Sequence, residues 1–67
     1  MKVFAERLRE LRVESYLTQA QLAKEIGVVQ SSIVFWENDI KTPSAEAVGA
    51  LAKYFGVTSD FLLGLDN

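Results

Sequence analysis

The chain has 67 residues, 49% of them apolar, and a formal net charge of −2, which makes one small domain able to bury about 60% of its unfolded surface. It contains no cysteine and no histidine, so disulfides, zinc fingers and thiol chemistry are excluded, and no stretch approaches the roughly 20 apolar residues of a membrane span, so a cytoplasmic protein with no membrane partner is expected. A pI near 4.9 speaks against a uniformly basic nucleic-acid binder, because phosphate contact is what makes such domains basic.

The first predicted helix runs from about Lys2 to Glu14. Phe4, Leu8 and Leu11 form its i, i+4, i+7 core stripe. Arg7, Arg9 and Arg12 alternate with Glu6, Glu10 and Glu14, and for Arg7 and Arg9 the expectation is solvated i, i+3 and i+4 pairs. Ser15 to Leu17 is a short connection, with Leu17 expected in the core. Thr18 reads as an N-cap, and Gln21 three residues on can close a capping box. Leu22, Ala23 and Ile26 then recur at helical spacing. Gly27 ends this second helix, since the residue after a helix end takes positive φ. After Val28 and Val29 a third helix is predicted from Gln30 to Glu37, with Ile33 and Trp36 on one face and both assigned to the core. Ala23 is small enough for the third helix to cross close above the second. Thr18 to Asn38 therefore has the pattern of a helix-turn-helix.

The loop Asp39-Ile40-Lys41-Thr42 follows, and Pro43 pushes Thr42 towards an extended backbone. Ser44 is the predicted N-cap of a fourth helix, with Glu46 favourably placed in its first turn and Val48, Leu51, Ala52 and Phe55 as its core stripe. Gly49 lies mid-helix, at a cost of up to about 1 kcal/mol against alanine, and is expected on the surface. Gly56 stops the helix. Thr58 or Ser59 caps a last short helix, Asp60 to Leu63, which Gly64 ends. There is no strand alternation, linker or repeat, so the expectation is five helices around one core.

T-Q-A-Q-L-A, I-G-V, S-S-I, W-E-N and T-P-S, in this order, resemble the Cro/cI-repressor-type (XRE) helix-turn-helix family. F-A-E-R-L-R-E-L-R before them and L-A-K-Y-F-G-V-T-S-D-F-L-L-G after them resemble the family's first and last helices, so the likeness covers nearly the whole chain. It implies an all-α, five-helix, lambda-repressor-like domain over residues 1–67. The implied function is sequence-specific binding of a double-stranded DNA operator by a repressor-like transcriptional regulator.

A recognition helix reads bases with its N-terminal residues, which reach the groove floor first. Here these are Gln30 and Ser31, then Val34 and Phe35. Gln30 could bond an adenine edge bidentately, Ser31 could bond any base, and Val34 could lie on a thymine methyl. By resemblance Gln19 contacts phosphate, at a helix end that favours an anion. Asn38, Lys41 and Thr42 are expected to hold the next phosphates. Singly, each of these has an ordinary reading as a solvated polar side chain. As one ordered set they point to DNA. The family also implies an ion pair between Arg12 and Glu37 that fixes the recognition helix to the first.

Four departures stand out. Val29 replaces the usual Ser or Thr and cannot cap the recognition helix by side chain. Residues 30–37 carry no Lys or Arg, and Asp39 stands where glycine is common. Val34 and Phe35 are two adjacent apolar residues on a nominally exposed helix, which supports an alternative: a protein-interaction module, antitoxin-like, with weak DNA binding and a partner at Val34 and Phe35. A homodimer on palindromic half-sites is expected for either readout of DNA, through Val57, Phe61 and Leu65, with Leu62 inside; the competing reading is that all four close the core. No nucleophile, base and orienting group can be assembled, so no enzyme is expected, and no cofactor or metal site is assigned.

Overall fold

A computed structural model describes residues 1–66. Its helices are α1 (Lys2–Glu14), α2 (Gln19–Ile26), α3 (Gln30–Glu37), α4 (Ala45–Phe55) and α5 (Ser59–Leu63), with no strand among the described residues. Three of them start on a hydroxyl. Thr18, Ser44 and Thr58 accept from the amides of Gln21, Ala47 and Phe61 at 3.0, 3.1 and 3.0 Å, each satisfying a first-turn N–H that has no partner within its helix. The Gln21 side chain accepts in turn from the Thr18 amide at 2.8 Å, which completes the capping box. Thr58 is the cap of α5, so that helix begins at Ser59, one residue earlier than expected. Val29 makes no side-chain cap to α3.

All five helices end in the same way. An amide two or three residues beyond the last helical residue folds back onto a carbonyl five positions earlier: Leu17 onto Arg12, Val28 onto Ala23, Ile40 onto Phe35, Val57 onto Ala52 and Leu65 onto Asp60. This turn requires a left-handed residue just before the donor. Gly27, Gly56 and Gly64 supply it after α2, α4 and α5, but after α1 and α3 it is Tyr16 (φ 58°) and Asp39 (φ 57°).

The core draws on every helix. Phe4 and Leu8 of α1, Leu22 and Ala23 of α2, Ile33 and Trp36 of α3, Val48, Leu51 and Ala52 of α4 and Leu62 of α5 form one buried cluster. Leu11, Leu17, Ile26 and Phe55 pack against it from its edge. Phe4 and Trp36 meet edge to face, 6.4 Å between centroids at 71°, a favoured aromatic geometry. Ala23 is 3% exposed and belongs to this cluster. Gly49 is on the surface with open space around it.

One expectation is overturned. Arg7 is not a solvated member of the α1 charge row. Its guanidinium lies over the Phe61 ring at 4.3 Å, donates to the Phe61 carbonyl and pairs with Asp66 Oδ1 at 2.7 Å. It clamps α5 and the residues after it to α1, because Glu10 at i+3 is only an exposed partner, whereas Phe61 and Asp66 offer a carbonyl, a ring face and a carboxylate together. No described helix is long and apolar enough to cross a membrane.

Candidate nucleic-acid interface

The rear of α3 is fixed by a network centred on Glu37, whose side chain is 2% exposed. Arg12 Nε donates to Glu37 Oε2 at 2.6 Å and Nη2 donates to Oε1 at 3.0 Å. The third arm, Nη1, donates to the Leu17 carbonyl at 2.8 Å. Gln19 Nε2 donates to Glu37 Oε1 at 3.1 Å. The end of α1, the start of α2 and the end of α3 thus meet at one carboxylate. Both carboxylate oxygens are occupied, and the guanidinium uses its fork geometry in full. The hydrogen bond to Glu37 holds the Arg12 guanidinium above its ordinary pKa range.

The opposite end of α3 is open. Gln30 and Ser31 are exposed at its first turn, and Val34 and Phe35 one turn on are half-buried rather than free. Gln19, at the start of α2, is half-buried through its bond to Glu37. A carboxamide nitrogen carries two hydrogens, so Gln19 keeps a second N–H for another acceptor. The side chain of Asn38 donates to the Val34 carbonyl at 3.0 Å and closes the last turn of α3. Lys41 and Thr42 are exposed in the following loop. The Lys41 ammonium lies 5.0 Å from the centroid of the Phe35 ring. Asp39 is paired with the amino group of Met1 at 2.9 Å, which offsets its charge beside Lys41.

The structure therefore places the two expected groups apart in kind. Gln30, Ser31, Val34 and Phe35 share α3, whereas Gln19, Asn38, Lys41 and Thr42 come from the α2 start and the loop after α3. At the C-terminal end, Val57 packs against the core, Phe61 is half-buried under Arg7, and Leu65 is 65% exposed. The sequence reading missed the Gln19–Glu37 bond and the Lys41–Phe35 stack. The first has no local signature, since its partners are 18 residues apart; the second was signalled by an isolated lysine six residues after an aromatic on a helix without cations.

Comparison with known proteins follows this geometry. A family model described as helix-turn-helix matches residues 8–62. The uncharacterized HTH-type transcriptional regulator YobD of Bacillus subtilis is 38% identical over 65 residues, covering 97% of this chain and 58% of that protein. The HTH-type transcriptional activator BcrR of Enterococcus faecalis is 40% identical over 60 residues, covering 90% of this chain and 29% of its own length. The chain thus spans less than two thirds of either relative. Among solved structures, the P22 c2 repressor in complex with a synthetic operator superposes with a TM-score of 0.89 at 33% identity, covering 98% of this chain and 100% of that one.

Proposed function

Because the chain belongs to the Cro/cI-repressor-type helix-turn-helix family, we propose that it is a sequence-specific, double-stranded-DNA-binding transcriptional regulator of the repressor-like kind, acting in the cytoplasm by occupying an operator. The observation that carries this reading is the polarity of α3. Its C-terminal end is locked from behind by Arg12 and Gln19 through Glu37, while Gln30 and Ser31 stand exposed at its N-terminal end. A helix held in this way presents its first turn to a major groove at a fixed angle.

In this reading Gln30 and Ser31 contact base edges, and Val34 and Phe35 lie beside the groove wall. Gln19, Asn38, Lys41 and Thr42 contact phosphates, Gln19 with the N–H that Glu37 leaves free. Two copies bind palindromic half-sites about one turn apart, with Leu65, Phe61 and Val57 between them. The superposition on a repressor held on its operator supports this over the protein-interaction alternative. So does the half-burial of Val34 and Phe35, which leaves less apolar surface for a protein partner than the sequence suggested.

The test is selection from a random duplex pool at moderate salt, with the natural protein and Gln30→Ala side by side. Enrichment of a palindrome, relaxed by the variant at one base pair worth about 1–3 kcal/mol of discrimination, is the expected result. Enrichment of no sequence even at low salt would overturn the reading.

A further inference from the structure

Residues 25–52 contain a single cation, Lys41. They include the whole of α3 and the loop after it, where phosphate contacts are expected. A lysine in a loop normally samples many rotamers, and each ordered side chain of this length costs entropy. Lys41 is tied to one residue at both ends. Its amide donates to the Phe35 carbonyl at 3.4 Å, beside the 2.8 Å bond from Ile40 to the same oxygen. Its ammonium lies over the Phe35 ring at 5.0 Å from the centroid, within the range where the ring quadrupole attracts a cation. Phe35 is half-buried, so the platform itself is fixed by α3. The ammonium stays exposed and keeps donors free.

From this placement we infer that Phe35 is a positioning residue: it holds the Lys41 ammonium along the flank of α3, aimed at a DNA phosphate, and so gives a recognition helix without Lys or Arg its one cation. The inference rests on the DNA-binding reading and assigns Phe35 a role separate from base contact. It also accounts for an aromatic on a helix that has no Lys or Arg of its own: the charge is supplied from the loop and carried on the ring.

The experiment is a double-mutant cycle on the affinity for the duplex that the natural protein enriches. The variants are Phe35→Leu, which keeps an apolar side chain and removes the π face, Lys41→Met, which keeps the stem and removes the charge, and the pair together, each measured over a series of salt concentrations. Phe35→Leu is expected to weaken binding about two- to fivefold in the natural background, the size of an exposed cation–π contact, and to have almost no effect beside Lys41→Met. Lys41→Met is expected to flatten the slope of log K against log salt by about 0.9, one phosphate contact, and Phe35→Leu to flatten it in the same direction. Phe35→Tyr, which retains the ring, is expected to restore both. Lys41→Met, which removes a phosphate contact and no base contact, should not change the enriched base sequence.

Equal losses from Phe35→Leu with and without Lys41, or a base preference changed by Lys41→Met, would overturn the inference while leaving DNA binding intact. No duplex bound by the natural protein would overturn both. As a check on folding, the Lys41 ε-protons of the free natural protein should resonate upfield from the ring current of Phe35 and lose that shift in Phe35→Leu; an unshifted natural signal also overturns the inference.

Discussion

Arg12 and Glu37, 25 residues apart, meet through both carboxylate oxygens at 2.6 and 3.0 Å, with the Glu37 side chain 2% exposed and that of Arg12 14% exposed. Such a pair lies between two regimes. Exposed pairs contribute about 0–1 kcal/mol, whereas removing one partner of a buried pair costs about 3–5 kcal/mol. Arg12 retains some water, so Glu37→Ala is expected to cost about 2–3 kcal/mol, between those limits. A denaturant titration measures it. A loss within the exposed-pair range would mean that the network does not anchor α3.

Val29 sits at the start of α3 with φ −77° and ψ 151°, the backbone of a capping residue, but without a hydroxyl. At 67% exposure it gives up little packing on substitution. Val29→Thr keeps the branched shape and adds an acceptor for a first-turn amide, so it should stabilise by about 1 kcal/mol. The shift in thermal midpoint reads this directly, and an unchanged midpoint would show that water already serves these amides.

Tyr16 holds a left-handed backbone with 94% of its surface exposed, so its side chain returns nothing to the core for the strain. The left-handed conformation costs an L-residue about 1–2 kcal/mol, and glycine's extra freedom in the unfolded chain takes back about 0.5–1 kcal/mol. Tyr16→Gly should therefore raise stability by about 0.5–1 kcal/mol, or about 2–8 °C in the melting temperature of a domain this size. A lower melting temperature would show that Tyr16 makes a stabilising contact.

Asp39 shares that conformation, but a short acidic side chain tolerates it better, so Asp39→Gly should gain less stability. Its larger effect is on binding. Removing an acid two residues from Lys41 should raise duplex affinity about fivefold at low salt, the worth of one close charge pair in water, and less as salt rises. Equal affinity at all salt concentrations would place Asp39 away from the phosphates.

The Arg7 guanidinium, chiefly by its hydrogen bond, holds the Asp66 carboxyl below its ordinary value of 3.8. A depressed acid stabilises the fold above its unfolded pKa, and that contribution fades as pH falls from about 3.8 through the lower folded value. In a carbon-detected NMR titration the Asp66 midpoint should therefore rise towards 3.8 in Arg7→Gln. A midpoint unmoved by the substitution would break the link between Arg7 and the last described residues.

How far the sequence revealed this molecule depended on how local each signal was. The capping box at Thr18 and Gln21 and the stops at Gly27, Gly56 and Gly64 lie within a few residues of their partners, and so could be read. The same stop after α1 and α3 was hidden, because Tyr16 and Asp39 replace the glycine that announces it. What survives is the apolar residue after each left-handed position: Leu17, Val28, Ile40, Val57 and Leu65. Two members of that series, Ile40 and Leu65, are 63% and 65% exposed. Arg7 was misassigned for the converse reason: its partners Phe61 and Asp66 are more than 50 residues away, and no local spacing could outrank the nearby glutamates. Family likeness supplied Arg12 and Glu37, but it did not supply Gln19 as a second donor side chain on Glu37.

Glu37 is a pivot, and α3 is a lever on it. The helix has eight residues, which at 1.5 Å per residue puts Gln30 about 10 Å from the pivot, so a tilt of about 5° swings its tip by about 1 Å. Hydrogen-bond distances tolerate only about half an ångström. If Gln30 reads a base as proposed, substitutions at Arg12 that touch no base can therefore re-aim it, and a sequence preference could evolve from behind the helix.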